Sequence, residues 1–562
     1  MQKLIIYQVL PRLFGNSNEQ LTYNGTLEQN GSGKFSDFTP KVLKEIASLG
    51  CNAVWYTGVI EHATKSDFSA YGIPKDNPYV IKGNAGSPYA IKDYYDVNPY
   101  LADEVTERMA EFEALVKRTQ ESGLKVIIDF VPNHVARQYH SDAKPEGVKD
   151  FGENDKNNIA FDPQNNFYYI PYQVFAGQFP LGTEDDQYKE YPAKATGNDC
   201  FNAYPTEFDW YETVKLNYGV DYLSWGAKHF DPIPDTWYKM LDILTFWTSK
   251  GVDGFRCDMA EMVPVEFWGW VIPQIKAIHA DILFIAEVYN PDLYYSYIHN
   301  GHFDYLYDKV GLYDTLKAVI RGEAPAAAIT GCWQRLGEIG DHMLNFMENH
   351  DEQRIASSYF ADSAEKAFPA VVVSACISKV PFMIYCGQEL GEEAMDNEGF
   401  SGQDGRTTIF DYWAMDSVRR WYNKGECNLR RLSNRQRNIR KFYATLLPVA
   451  ENEKAITDGL FFDLMYVNQK SEYFDPEKQY AFLRKSGKEL LLIVANFDCY
   501  EQDCKVNIPR HAFDYLQVPE LSQIEATELL SGSTLFVPLN IHVPFRTIVP
   551  ANGAVIWKIV LP

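Results

Sequence analysis

Short apolar runs alternate with amphipathic stretches of helical spacing along most of this chain. That alternation restricts the fold more than any other feature. Residues 4–10, 53–56 and 125–131 read as strands. Residues 38–49, closed by Gly50, and 105–121, closed by Gly123, read as helices between them. Past residue 229 the pattern resumes, with strands at 254–257, 283–287, 303–306, 343–347 and 382–385 and helices at 237–250, 264–279 and 364–379. Strands joined through helices pair in parallel under helical cover. Eight of them close a (β/α)8 barrel, so an α/β fold of the TIM-barrel type is expected.

Two stretches break the pattern. From 136 to 229 the chain is rich in Asn, Asp, Tyr, Pro and Gly and has little periodicity. An irregular segment of that length inside a domain is usually functional, and it reads as a lobe inserted after the third strand. From about residue 460 short alternating runs such as 489–495 and 555–560 read as antiparallel strands. The expected domains are therefore a barrel over 1–135 and 230–455, an insertion lobe over 136–229 and a C-terminal β-sandwich over 456–562.

The net charge of −24 opposes nucleic acid and anionic membranes, whose binding rests on Lys and Arg. It does not oppose a neutral sugar, and 37 Tyr, 34 Phe and 11 Trp supply flat faces suited to sugar rings. Nine scattered cysteines without a CxxC pair suggest free thiols in a reducing compartment. The N-terminal MQKLIIYQVLPRLFG has too short an apolar run for a signal peptide, and no run reaches transmembrane length. A cytoplasmic address is expected.

The stretch GVDGFRCDMA at 251–260 carries the first chemical signal. Arg256 and Asp258 are two apart, so on a strand they point to one face, and the cation favours an ionised carboxylate. Alone, the pair reads equally as a structural ion pair. Asp129 in DFVPNH, Glu287 in FIAEVYN and Asp351 in FMENHD also sit at predicted strand ends. Carboxylates at the ends of apolar strands cost desolvation, so their recurrence on the active face of a barrel asks for a chemical reason.

Together these segments resemble the α-amylase family of retaining glycoside hydrolases and transglycosylases. DFVPNH at 129–134, GFRCD at 254–258, the Glu287 strand and ENHD at 348–351 match the family's short regions in order and spacing, and IIYQVLPRLF at 5–14 resembles its first strand. The resemblance implies that Asp258 is the nucleophile, Glu287 the acid/base and Asp351 the stabiliser of the charged transition state. It implies sugar contacts from His134, His350 and a stacking Tyr89, in GSPYAIKDYY. Arg406, in DGRTTIFDYW, reads either as a sugar-binding Arg or as a surface Arg, and Asp404 is a weaker candidate. A retaining pair works with the nucleophile ionised and the acid protonated. Arg256 would serve the first need and the apolar Ile285, Ala286 and Val288 the second.

The chain also departs from the family. Glu261 and Met262 stand where many members carry a Lys–His pair beside the leaving group. Asn133 matches a ligand of the family's structural calcium, but Lys215, in TVKLNYG, falls where an Asp ligand is supplied. An ammonium has no lone pair to give a cation, so that calcium site is expected to be lost and no cofactor is expected. The expected activity is hydrolysis of α-glucosidic bonds in malto-oligosaccharides. Transglycosylation or isomerisation, with a sugar hydroxyl replacing water, uses the same carboxylates. A binding subunit without catalysis would lack them. An oligosaccharide is the expected partner, and the oligomeric state is left open.

Overall fold

The computed structural model describes residues 2–562. Eight parallel strands close a barrel: β1 Ile5–Val9, β2 Ala53–Tyr56, β3 Lys125–Phe130, β4 Gly254–Cys257, β5 Leu283–Ala286, β6 Tyr305–Tyr307, β7 Met343–Phe346 and β8 Phe382–Tyr385. Each pairs with its neighbours in sequence, and β8 closes on β1 with Ile5 opposite Phe382. The strands are short, apolar and almost wholly buried, as strands covered on both faces must be. Helices such as Arg108–Glu121, Asp235–Ser249 and Val265–Ile278 lie on the outside, with Phe112, Leu115, Trp247, Phe267 and Trp268 turned inward.

Two expectations differ in detail. The sixth strand is Tyr305–Tyr307 rather than 303–306. The helix expected over 364–379 is a 3-10 turn, Ala364–Ala367, running into an α-helix that ends at Cys376. Pro369 sits in the first turn of that α-helix, where its missing N–H has no partner to lose.

Three excursions rise above the C-terminal ends of the strands. The first, between β2 and the helix Arg108–Glu121, contains the antiparallel hairpin Ile60–His62 and Ile91–Val97. The second is the insertion after β3. It is tied by small two-stranded ladders, His134–Ala136 with Thr213–Lys215 and Tyr169–Ile170 with Ala193–Lys194. Tyr168, Phe175, Tyr188 and Ala203 give it a small core of its own. The third follows β8, where residues 399–413 fold back over the barrel and Gly83 packs against the Phe410 carbonyl.

The C-terminal part is a six-stranded antiparallel sheet plus a separate ladder of Gln502–Val506 with Phe545–Val549. Arg484 fastens that sheet to the barrel by donating to the carbonyls of Ile377, Ala455 and Ile456. No helix among the described residues is long and apolar enough to cross a membrane.

Candidate active site

The strand ends build the site directly. Asp258 follows β4 by one residue and Glu287 follows β5 by one, and the two strands are in register with Cys257 opposite Ala286. Both acids therefore leave adjacent strands at one level. The Asp258 N–H donates to the Phe130 carbonyl (2.9 Å) and the Glu287 N–H to that of Cys257 (3.1 Å), which fixes the backbone under each carboxyl.

Arg256 is the hub. Its guanidinium is fully buried; Nη1 donates to Asp258 Oδ1 (2.8 Å) and more weakly to Asp129 Oδ1 (3.3 Å), and Nε donates to the Tyr307 hydroxyl (3.0 Å). Nη2 lies 2.8 Å from Glu287 Oε2 but off the N–H direction, an ionic contact rather than a hydrogen bond. One cation thus faces three buried carboxylates. Burial pushes the Asp258 carboxyl well up, Arg256 pulls it back, and Glu287 and Asp129 push it up again. Asp258 Oδ2 has no hydrogen-bond partner and is free to act.

The expected contact of Arg256 with Asp258 is present, and a second one accompanies it. Arg256 does not serve Asp258 alone, since it meets Glu287 at the same distance. Ile285, Ala286 and Val288 are buried, and the Glu287 carboxyl has polar partners of its own. That carboxyl accepts from the Met259 N–H at Oε2 (2.7 Å) and from the Tyr289 hydroxyl at Oε1 (2.6 Å).

A cavity of about 280 Å³ opens above these acids, walled by Tyr89, His134, Asp258, Glu287 and Asp351 among the expected residues. His350 is not in the wall but contacts two residues that are, Tyr89 and Asp351. Its Nδ1 meets the Gln8 amide at 2.7 Å, and its Nε2 meets the Tyr89 hydroxyl and, at 3.1 Å, Asp351 Oδ2. The Tyr89 ring stacks on the imidazole at 5.3 Å between centroids. Burial and the nearby Arg256 hold His350 well below its ordinary pKa, so it is a neutral ring that orients its neighbours. Burial likewise lowers His134 to about 3, helped by Lys215 and Lys82. Asp351 lies five residues beyond β7, carried there by a turn in which Asn349 caps its N–H (2.9 Å).

Arg406 is not brought into the cavity wall; its half-exposed guanidinium has Asp404 at 3.6 Å. Glu261 is also turned away from it. Its carboxylate accepts the backbone N–H groups of Tyr289 (3.0 Å) and Asn290 (2.9 Å) and so braces the loop after β5. The wall further contains Lys82, Ser87, Trp210, Glu212, Tyr289 and Phe410, which sequence reasoning missed. Tyr289 had a readable signal, because it stands two residues past Glu287 and so faces the same way on an extended chain. Lys82, Trp210 and Glu212 come from irregular segments that carry no such signal.

At Asn133, where the resemblance places the family's structural calcium, the donor atoms are already engaged. Lys215 Nζ donates to Asn133 Oδ1 (2.9 Å), and Asp199 Oδ1 lies 2.5 Å from the same ammonium. The Asn133 amide nitrogen is bound to the Gly197 carbonyl (2.8 Å). A buried cation already occupies the place between Asn133 Oδ1 and Asp199 Oδ1, so this donor set does not fit calcium.

The model of the alpha-amylase catalytic domain matches residues 8–426. The chain belongs to the alpha-amylase family. Among curated relatives it is 25% identical over 394 residues to "Alpha-amylase MalA" of Haloarcula japonica, covering 69% of this chain and 44% of that protein. It is 20% identical over 531 residues to "Neopullulanase 2" of Thermoactinomyces vulgaris, covering 90% and 72%. The chain spans about half the length of the first curated relatives it matches. Among solved structures, the noncanonic maltogenic alpha-amylase AmyB from Thermotoga neapolitana superposes with a TM-score of 0.62 at 18% identity, covering 100% of this chain and 99% of that one. CldA, titled a cyclomaltodextrin glucanotransferase with a three-domain distribution, gives 0.66 at 16% identity, covering 100% of both. These two likenesses bear on the fold, and the alpha-amylase barrel with its C-terminal β domain is the fold they share.

Proposed function

We propose that this alpha-amylase family chain cleaves α-glucosidic bonds of malto-oligosaccharides with retention of configuration. The observation that carries the reading is the Arg256 hub. It holds one oxygen of Asp258 and one of Glu287 at 2.8 Å each, beneath a cavity also walled by Asp351 and Tyr89.

Asp258 Oδ2, which has no partner, attacks the anomeric carbon as the glycosidic C–O bond breaks. A proton goes from Glu287 to the leaving oxygen, with the Tyr289 hydroxyl holding Oε1 in place. Asp351 faces the positive charge that develops on the sugar. A water molecule then gives its proton to Glu287 and attacks the same carbon, which frees Asp258. Two inversions give net retention. No metal takes part in these steps, and none is proposed at Asn133. Arg406 is proposed to meet sugar only beyond the bond being cut, since it stands outside the cavity wall.

The aromatic lining agrees with an oligosaccharide. A second cavity of about 620 Å³ is lined by Tyr23, Tyr79, Phe179, Phe208, Tyr211 and Phe400. It adjoins the first through Lys82, which pairs with Glu212 (3.0 Å) and lies 5.3 Å over the Tyr211 ring. A substrate several units long would run from one to the other. Nine free cysteines, seven of them buried, support a cytoplasmic setting.

The test is a product time course on maltoheptaose, panose and trehalose, with Asp258→Asn as the blank. Shorter products from the wild-type protein alone support the reading. Longer or rearranged products mean transfer to a sugar acceptor, and no change in any substrate contradicts both.

A further inference from the structure

The hairpin that delivers Tyr89 to the cavity carries a second group of acids, away from the reacting carboxylates. Glu61 and Asp93 are cross-strand partners on its two antiparallel strands, and a bulge follows Glu61 on each side. Asp96 lies three residues past Asp93. All three are buried, and each offers an oxygen within 4.8 Å of the other two. Like charges directly opposite on a ladder are destabilising, and burial makes the conflict worse.

Two of the acids are partly compensated. Asp93 accepts from Tyr95 N (2.7 Å), Ser141 Oγ (2.6 Å) and Ala143 N (3.1 Å). Asp96 accepts from Val97 N (2.8 Å) and from Arg108 Nε (2.8 Å) and Nη2. Glu61 is not compensated. Its Oε2 is buried without any hydrogen-bond partner, although the side chain is only 1% exposed. The neighbouring cation Lys92 is committed to Asp76 (3.1 Å) and the Pro74 carbonyl. Asp142, 3.7 Å from Arg108, competes with Asp96 for that arginine.

We propose that Glu61, Asp93 and Asp96 bind one hard divalent cation. Carboxylate oxygens are its natural ligands, and oxygens up to 4.8 Å apart span opposite sides of an ion with bonds of about 2.4 Å, which favours calcium over magnesium. Such an ion gives Glu61 Oε2 its missing partner and relieves the facing charges. It also ties three parts together, because Asp96 holds the helix Arg108–Glu121 through Arg108 and Asp93 holds the root of the insertion lobe through Ser141 and Ala143. The site is separate from Asn133, and it revises the expectation that the chain takes no metal.

The experiment titrates protein stripped with EDTA by CaCl2, MgCl2 and MnCl2, following heat and melting temperature, for the wild type and Glu61→Gln. The expected result is one ion bound per chain, tightest for calcium, with the melting temperature raised by several degrees. Glu61→Gln, which keeps the shape and removes the charge, binds at least tenfold more weakly and loses the thermal shift. Wild-type protein that takes up no ion overturns the proposal, as does Glu61→Gln protein that binds like the wild type. Should the variant not fold, Mn2+ soaked into wild-type crystals must give an anomalous peak among the three acids. A peak elsewhere, or none, overturns it equally.

Discussion

At the residue scale, the centre of the account is one guanidinium shared by Asp129, Asp258 and Glu287. Asp129 and Asp258 meet the same guanidinium, so apparent pKa values from a pH–rate profile belong to the group rather than to one residue. His134 gives a cleaner test. Its folded pKa lies at about 3, against an ordinary value near 6.5. Below pH 6.5 the unfolded chain takes up a proton that the folded chain refuses, so stability falls as the pH drops from 6.5 toward 3. The slope is about 1.4 kcal/mol per pH unit at most. Gln does not titrate. Melting temperatures measured across that range should drop faster for the wild type than for His134→Gln, and parallel curves would count against a buried neutral ring. Asp258, Glu287, Asp351 and Tyr89 were legible in the sequence because strand ends and short motifs place them. Arg406 was not, because the path of the loop after β8 decides where that side chain points.

At the element scale, the eight barrel strands were legible because each is an apolar run bounded by helix signals. The excursion between β2 and the helix Arg108–Glu121 was not. Its hairpin has an irregular register, and its acids break the alternation that would mark a strand. The loop after β5 shows how a departure from a family pattern acquires a structural role. Glu261 takes two backbone N–H groups of that loop, and the loop presents Tyr289 to Glu287. Glu261→Ala should leave the fold intact and lower kcat roughly tenfold, because losing charge-assisted anchors costs about 1–3 kcal/mol and frees Tyr289. Steady-state kinetics with a circular dichroism control reads this. Unchanged kcat would make the brace irrelevant to catalysis.

At the scale of the whole molecule, the barrel supplies the reacting groups and the excursions supply the walls. Hairpin, insertion lobe and the segment after β8 each contribute to the cavity, through Tyr89, Trp210 and Phe410 respectively. The aromatic trough beside it draws on the same three regions and on Tyr23 from the segment after β1. Phe208 is 88% exposed there, an unusual position for a large apolar ring with nothing to cover it. Phe208→Ala should weaken binding of maltoheptaose by roughly three- to tenfold, the scale of one lost stacking contact, and leave maltotriose unchanged. Calorimetry on an inactive Asp258→Asn background reads both. Equal losses for the two sugars would place Phe208 at the cavity itself. The existence of the insertion lobe was visible from its composition, but its internal ladders of two or three residues were too short to leave a periodic signal.

The claim on which the rest depends is covalent catalysis by Asp258 with proton transfer by Glu287. It is tested most directly by trapping. Glu287→Gln protein, which lacks the proton donor and the base for water, is mixed with an α-glucosyl fluoride, whose leaving group needs no acid. The protein is then digested and read by mass spectrometry. One glucosyl unit is expected on the peptide that carries Asp258, and none in the double variant with Asp258→Asn. An adduct on another carboxylate, or turnover with an inverted product and no adduct, would contradict it.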